Sequence, residues 1–279
     1  MQRILIFGLG YTAKRIAAHL EGRGWEVVST GRDGTLSFDD EGTVRMALAD
    51  CSHVLSSVPP AGEGSDPVLE RYGNALAGKW LGYLSSTGVY GDAQGSWVDE
   101  SAPVGTGRRT VRAECDAQWM ERGASVFRLP GIYGPGRSVF DRVATGRAHR
   151  IDLPGQVFSR IHVDDIAGAV LAALDGDAPP GAYNVSDDLP CSQNTLVEAA
   201  CAMLGVAPPP LQTIEQAGLS PMARGFYAEN RRVANGKAKR MLGWRPAYPD
   251  FATGLRALRA TISPASDIAA PSPASGDQT

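Results

Sequence analysis

The residues with the plainest chemical meaning stand near the start of the chain, where Gly8-Leu9-Gly10-Tyr11-Thr12-Ala13 spells G-x-G-x-x-A. Between a strand and a helix, that spacing makes a dinucleotide-binding turn. Gly8 permits the tight bend, Gly10 lets a pyrophosphate approach the backbone, and Ala13 keeps the helix close to the strand. The anion then rests on helix N–H groups and the positive end of the helix dipole. An acid about twenty residues further on would bind the ribose hydroxyls of NAD. The chain reads Ser29-Thr30-Gly31-Arg32 there, and Arg32 offers a fork of donors to a 2′-phosphate. This favours NADP(H) over NAD(H), although Asp33 one residue later keeps NAD open. Leu9, Tyr11 and Thr12 of the turn, Ser57, Val58 and Pro59 near residue 58, and Pro130 complete the expected cofactor-binding set.

The elements that must position such a turn follow from the pattern of apolar runs. Residues 3–7 lack polar alternation, as a strand buried on both faces does, and residues 11–21 form a helix stopped by Gly22 and Gly24. Further strands are expected at 25–29, 53–58, 80–86 and 125–129, with helices at 67–77 and 108–122. Only about 25 residues separate the second and third strands, so one crossover is expected to be short or irregular. Beyond residue 130 helical segments at 139–144, 164–174, 195–204, 233–242 and 251–262 alternate with loops, and residues 264–279, rich in Pro, Ser and Ala, read as a disordered tail. Alternating strands and helices imply an α/β fold, a Rossmann-type doubly wound parallel sheet with a smaller C-terminal substrate lobe. The expected division is 1–130 for the nucleotide domain with later segments returning to it, 131–263 for the lobe and closing helices, and 264–279 for the tail.

Composition removes several alternatives. With 27 basic and 30 acidic side chains, a net charge of −3 and no long basic run, the chain lacks the positive stripe of a nucleic-acid binder. No apolar run reaches the roughly 20 residues that span a bilayer, and Ile4-Leu5-Ile6-Phe7 is too short for a signal core. Cys51, Cys115, Cys191 and Cys201 show no C-x-x-C spacing, which fits reduced thiols in a cytoplasmic protein without a metal site. Glycine is abundant, 33 of 279 residues, or about 12% against roughly 7% on average, and implies many tight turns.

Four later segments carry a resemblance. Tyr83-Leu84-Ser85-Ser86-Thr87-Gly88-Val89-Tyr90-Gly91-Asp92 resembles the strand and loop that bear the catalytic Ser/Thr of extended short-chain dehydrogenases/reductases, the sugar-nucleotide epimerase and dehydratase group. Arg128-Leu129-Pro130-Gly131-Ile132-Tyr133-Gly134-Pro135-Gly136, Arg160-Ile161-His162-Val163-Asp164-Asp165-Ile166-Ala167 and Tyr183-Asn184-Val185-Ser186-Asp187-Asp188 follow in the family's order. Leu242-Gly243-Trp244-Arg245-Pro246 is similar to its C-terminal stretch. The resemblance implies that Ser86 hydrogen-bonds a substrate oxygen, and it puts His162 in a segment that builds structure. It also implies a Tyr-x-x-x-Lys pair on the next helix, where this chain has Gly107-Arg108-Arg109-Thr110-Val111-Arg112-Ala113-Glu114. Aligning Glu114 with the acid that often follows that pair puts Arg112 at the Lys position and Arg108 at the Tyr position. Arg112 could hold a ribose or phosphate; Arg108 cannot act as a general acid near neutral pH.

The chain thus resembles atypical members of that superfamily. The expected activity is that of an NAD(P)(H)-dependent oxidoreductase or epimerase/dehydratase-like enzyme, acting on a small carbonyl or alcohol or on a nucleotide-sugar-like substrate. Ser86, Arg112 and Tyr133 are the candidate catalytic residues, and Tyr90 is a second candidate phenol. His162 is a weaker candidate, and Asp164 and Asp165 are expected to cap a helix. Arg108, Arg109, Arg112, Arg137 and Arg160 could form a basic pocket for a phosphorylated or carboxylated substrate. A hydrolase built on Ser86 is disfavoured, since no G-x-S-x-G elbow surrounds it. The rival reading is a non-catalytic NADP(H)-binding sensor or partner-binding module. A homodimer is compatible with the resemblance.

Overall fold

A computed structural model describes residues 2–62, 64–107 and 110–262 of the chain. The strands are β1 (Arg3–Phe7), β2 (Glu26–Ser29), β3 (His53–Ser56), β4 (Trp80–Ser86), β5 (Trp97–Val98) and β6 (Ser125–Leu129). They continue with β7 (Gly131–Tyr133), β8 (Arg150–Ile151), β9 (Arg160–His162), β10 (Gly181–Asn184), β11 (Leu211–Gln212) and β12 (Arg232–Val233). The helices are α1 (Tyr11–Glu21), α2 (Glu41–Asp50), α3 (Pro67–Tyr72), α4 (Thr110–Glu121) and α5 (Val139–Ala144). After these come α6 (Val163–Asp175), α7 (Gln193–Leu204), α8 (Pro221–Tyr227), α9 (Gly236–Met241) and α10 (Phe251–Thr261).

Six strands form one parallel sheet in the order β10-β6-β4-β3-β1-β2. The fold is α/β, a Rossmann-type doubly wound sheet. Strand β1 pairs with β2 on one side (Leu5 opposite Val28) and with β3 on the other (Leu5 opposite Val54). The strand order reverses at this point, so the loops after β1 and β3 part and leave a crevice at the strands' carboxyl ends.

Helices cover both faces, which is why the strands are apolar throughout. Ile4, Leu5, Ile6 and Phe7 are completely buried, each stabilising the fold by about 1.5–3 kcal/mol. On one face Ile16 and Leu20 of α1 meet Ile166 and Val170 of α6; on the other, Val44 and Leu48 of α2 pack with Tyr72 of α3 and Trp119 of α4. A separate apolar cluster joins α5, α7 and α10 through Val139, Phe140, Leu196, Val197, Leu255 and Leu258.

Several expected elements differ in detail. The crossover between β2 and β3 carries a regular ten-residue helix, α2, started by Asp40, whose side chain accepts the Thr43 N–H at 3.1 Å. Only Val44, Ala47 and Leu48 of α2 are buried, so its apolar stripe is short. The helix expected over 67–77 stops at Tyr72 and gives way to a 3-10 turn at Gly73–Ala75. The helix expected over 233–242 begins only at Gly236, because Val233 pairs with Val98 in a short ladder. Arg108 and Arg109, at the start of the expected helix 108–122, lie outside the described residues, as does the expected tail.

Candidate functional site

The glycine turn is held from behind. The Gly8 N–H donates to Thr30 Oγ1 (3.2 Å), the Leu9 N–H to the Thr30 carbonyl (2.8 Å) and the Gly10 N–H to the Gly8 carbonyl (2.9 Å). Gly8 has φ +84°, and a Cβ there would meet Val58 Cγ2 at 3.1 Å, so a side chain is both strained and crowded. Gly10 is the opposite case, with an ordinary φ of −85° and nothing within 4 Å of the place a Cβ would take.

Helix α1 begins there without a side-chain cap, whereas α2, α6, α7 and α10 are capped by Asp40, His162, Ser192 and Asp250. The first bond inside α1 is from the Lys14 N–H to the Gly10 carbonyl (2.8 Å), which leaves the N–H groups of Tyr11, Thr12 and Ala13 pointing out of the helix end. Uncapped donors, a dipole end and free space beside Gly10 fit a pyrophosphate. Ala13 is fully buried against the sheet.

At the tip of β2, Arg32 is exposed and makes no hydrogen bond or ion pair among the described residues. Asp33 is paired with Lys14 at 2.5 Å, and this contact holds its carboxyl below the usual range. On the other side of the turn Ser57 donates its N–H to the Phe7 carbonyl (2.8 Å), Val58 packs on Gly8, and Pro59 follows.

A cavity of about 590 Å³ continues from this turn across the ends of β4 and β6. Tyr11, Thr12, Ser57, Ser86, Arg112, Pro130 and Tyr133 all line it, which joins the expected catalytic residues to part of the cofactor set. Gly8, Leu9, Gly10, Ala13, Arg32, Val58 and Pro59 lie outside that lining. Ser86 Oγ accepts the Gly88 N–H at 3.1 Å. This contact caps the strand end and leaves the hydroxyl hydrogen for a second partner. Arg112 reaches Tyr83 Oη at 3.1 Å and spends little of its five-donor capacity there.

The neighbouring Ser85 also lines the cavity, and its hydroxyl joins a buried network. Its hydroxyl donates to Asp116 (2.7 Å), which also receives two bonds from Arg128 (2.7 and 3.1 Å). Arg128 donates to Tyr90 Oη (2.9 Å), and Tyr90 donates to Asn184 Oδ1 (2.7 Å). Burial pushes the Tyr90 phenol up to about 12. Tyr90 is therefore a brace behind β4 and not a proton donor to the cavity.

Tyr133 needs a similar correction. Its residue lines the cavity, but its hydroxyl is buried without a partner against Gly254 of α10, and burial drives its pKa far up. As placed, it is a wall and not an acid/base. The buried Asp187 nearby also has both carboxylate oxygens unpartnered, and burial pushes it up to about 8.

His162 is 2% exposed, and its Nδ1 accepts the Asp164 N–H at 3.2 Å. The cap of α6 is thus the histidine, and burial lowers its pKa. The two acids expected to cap have other tasks. Asp164 is bonded to Arg15 of α1 (Nη2 at 3.0 Å), and Asp165 accepts the N–H groups of Ala247 (2.6 Å) and Tyr248 (3.1 Å).

Of the expected basic pocket, Arg112, Arg137 and Arg160 do line the cavity, and Arg142 and Arg231 join them. Sequence reasoning missed those two, along with His149 and Tyr227, whose Nε2 and Oη lie 3.1 Å apart. Arg142 had a usable signal. It follows a capping box in which Ser138 and Asp141 bond reciprocally, and the apolar Val139 and Phe140 define the buried side of that short helix. Among the described residues Glu229 is the single carboxylate facing these five arginines across the lining.

Comparison with known proteins finds relatives across the whole chain. No family profile matches it. Protein YeeZ of Escherichia coli K12 is 29% identical over 290 residues, covering 90% of this chain and 97% of that protein. A 3-diazoavenalumate denitrifying reductase from Streptomyces is 31% identical over 179 residues, 57% of this chain and 58% of the reductase. Among solved structures, a functionally unknown conserved protein from Silicibacter pomeroyi is 39% identical with a TM-score of 0.83, covering 93% of this chain and 99% of that one. The human epimerase family protein SDR39U1, solved with NADPH, is 16% identical with a TM-score of 0.76, covering 94% and 100%. This last likeness is one of fold. No helix among the described residues is long and apolar enough to cross a membrane.

Proposed function

We propose that the chain is an NADP(H)-dependent oxidoreductase or epimerase/dehydratase-like enzyme of the atypical extended short-chain dehydrogenase/reductase type, working at Ser86 and Arg112, and the fold it shares with epimerase/dehydratase proteins supports this reading. The observation that carries the reading is the continuity between the uncapped start of α1 and a cavity into which both side chains face. Gly8 to Ala13 would hold the pyrophosphate, Arg32 a 2′-phosphate, and Ser57, Val58, Pro59 and Pro130 the walls around the rest of the dinucleotide. A bound nicotinamide would give or take the hydride. Ser86 donates its free hydrogen to the substrate oxygen, and Arg112 offers N–H donors to the negative charge that grows on that oxygen. A guanidinium stabilises such charge without giving up its proton, so the proton that completes the alcohol comes from water. Residues between Gly131 and Leu255 supply the walls that select the substrate, a small carbonyl or alcohol compound or a nucleotide-sugar-like molecule.

The test is NADP(H) titration followed by nicotinamide absorbance across a panel of carbonyl compounds and nucleotide sugars. Substrate-dependent turnover that falls in Ser86→Ala is the expected result. Tight NADP(H) binding with no turnover anywhere in the panel, and no effect of Ser86→Ala, would establish the second reading, a non-catalytic NADP(H)-binding sensor. That reading is favoured by the burial of both candidate phenols, Tyr90 and Tyr133.

A further inference from the structure

We infer that the cavity holds its substrate through an anionic group, a carboxylate or a phosphate on an apolar body, bound by Arg142 on a wall separate from Ser86 and Arg112. The inference deepens the enzymatic reading and rests on it for the location of the reacting end.

The first support is the imbalance of charge. Among the described residues five arginines and one glutamate line the cavity in a chain whose net charge is −3, so the positive charge is gathered there and does not reflect composition. Two of these arginines are held by several hydrogen bonds each. Arg160 is 6% exposed and bonds the carbonyls of Phe158 (3.0 Å) and Cys191 (3.1 Å) and the amide oxygen of Gln193 (3.2 Å). Arg231 bonds the Gly91 carbonyl (2.6 Å) and Glu229 (2.9 Å). Arg137 makes no side-chain hydrogen bond or ion pair among the described residues, but its guanidinium is placed over the ring of Tyr11 at 5.7 Å, at the α1 end.

Arg142 differs from Arg160 and Arg231. Its side chain makes no hydrogen bond and no ion pair among the described residues, and it is open to the cavity. The adjacent Asp141 makes no ion pair with it; its Oδ2 instead receives the N–H (2.7 Å) and the hydroxyl (2.9 Å) of Ser138. Enclosure by protein and the nearby Arg160 and Arg137 disfavour the guanidinium's charge and lower its pKa. An anion would relieve both penalties at once, and carboxylate and phosphate match the guanidinium fork bidentately. Tyr227 lies close enough to feel the Arg142 charge and adds a phenol beside it. The body of the ligand is read from the remaining wall, where Val139, Leu196 and Leu255 of the α5–α7–α10 cluster present apolar surface. Buried apolar area with one convergent ionic anchor selects an amphiphilic acid.

The experiment is calorimetric titration of the NADP⁺-saturated protein with benzoate, cinnamate, 4-phenylbutyrate and phenyl phosphate, each beside a neutral counterpart of the same shape (the amides and phenol). At least one anion is expected to bind about tenfold or more tightly than its neutral counterpart. Arg142→Met removes that preference, and Arg142→Lys keeps part of it. A preference shown by the carboxylates identifies a carboxylate substrate, and one shown by phenyl phosphate alone identifies a phosphate. The affinity for NADP⁺ and the melting temperature stay within error in both variants. The inference is overturned if no anion binds at millimolar concentration, if neutral counterparts bind as well as the anions, or if the preference survives Arg142→Met. Failure of the native protein to bind NADP⁺ at all would instead overturn the cofactor reading.

Discussion

The glycine turn from which the cavity continues and the cavity's far wall are built from different materials. At the α1 end the surface is backbone: a glycine turn, N–H groups without a cap, and space beside Gly10 that no side chain fills. At the α5 end it is side chain: arginines from separate segments, a histidine–tyrosine pair and apolar residues of three helices. A backbone site accepts any group of the right charge and size, and its fidelity comes from the fixed geometry of a strand–turn–helix. A side-chain site is specific to one ligand and can be rebuilt without disturbing the sheet. The molecule thus keeps its generic half in the frame and its particular half in the walls.

The sharpest way to break this contrast is to put a side chain into the backbone end. Gly10→Val meets no neighbour within 4 Å and has an ordinary φ, so the protein should fold with an unchanged circular dichroism spectrum while NADP⁺ affinity drops about 100-fold or more. Unchanged affinity would remove the pyrophosphate assignment. Between the two ends, Ser86→Ala is expected to lower kcat about 100-fold on any substrate found, the usual effect of losing one oxyanion donor, with NADP⁺ affinity retained. A change confined to KM would make Ser86 a binding group only.

Arg32→Ala tests the exposed side chain assigned to the cofactor's 2′-phosphate. NADP⁺ affinity should fall about tenfold more than NAD⁺ affinity, and an equal loss for both would end the preference for NADP. The smallest effect is expected behind the side-chain end, at Asp187. The carboxyl's folded value of about 8 lies above its unfolded value near ~3.9, so between those limits the folded chain carries a proton that the unfolded chain has lost. Stability contributed by this group therefore falls as pH rises through the window. Asp187→Asn removes the slope, and its melting temperature should gain on the native chain from pH 5 to pH 8 by up to roughly 2–4 °C for each ~1 kcal/mol. A gain that is the same at both pH values would show that Asp187 does not titrate there.

The same contrast explains what could be read from the residues alone. The strand–turn–helix around Gly8, Gly10 and Ala13 is legible because a tight turn imposes fixed spacing on contiguous residues, and strands such as β1 are legible because burial on both faces leaves no polar alternation. Arg142, His149, Arg231 and Tyr227 have no common spacing; the fold brings them together only after β9 and β12 have returned to the site. Tyr133 shows the limit from the other direction. Its type and position suit an acid/base, yet which way its hydroxyl turns depends on Gly254, 121 residues away, whose missing side chain leaves room for the phenol. Tyr90 was likewise legible as a phenol near the site, but not as a link in the Asp116–Arg128–Asn184 network, which draws on β6 and β10.

The adjacent carboxylates at the start of α6 have a mechanical consequence. Asp164 ties that helix turn to Arg15 of α1, and Asp165 ties it to the backbone of residues 247 and 248, just before α10. One turn of helix therefore acts as a strut between α1 and the segment that leads into α10 and its Leu255. A strut of this kind fixes a span. Loosening either carboxylate is expected to let the two segments move relative to one another while leaving the charges of the lining unchanged.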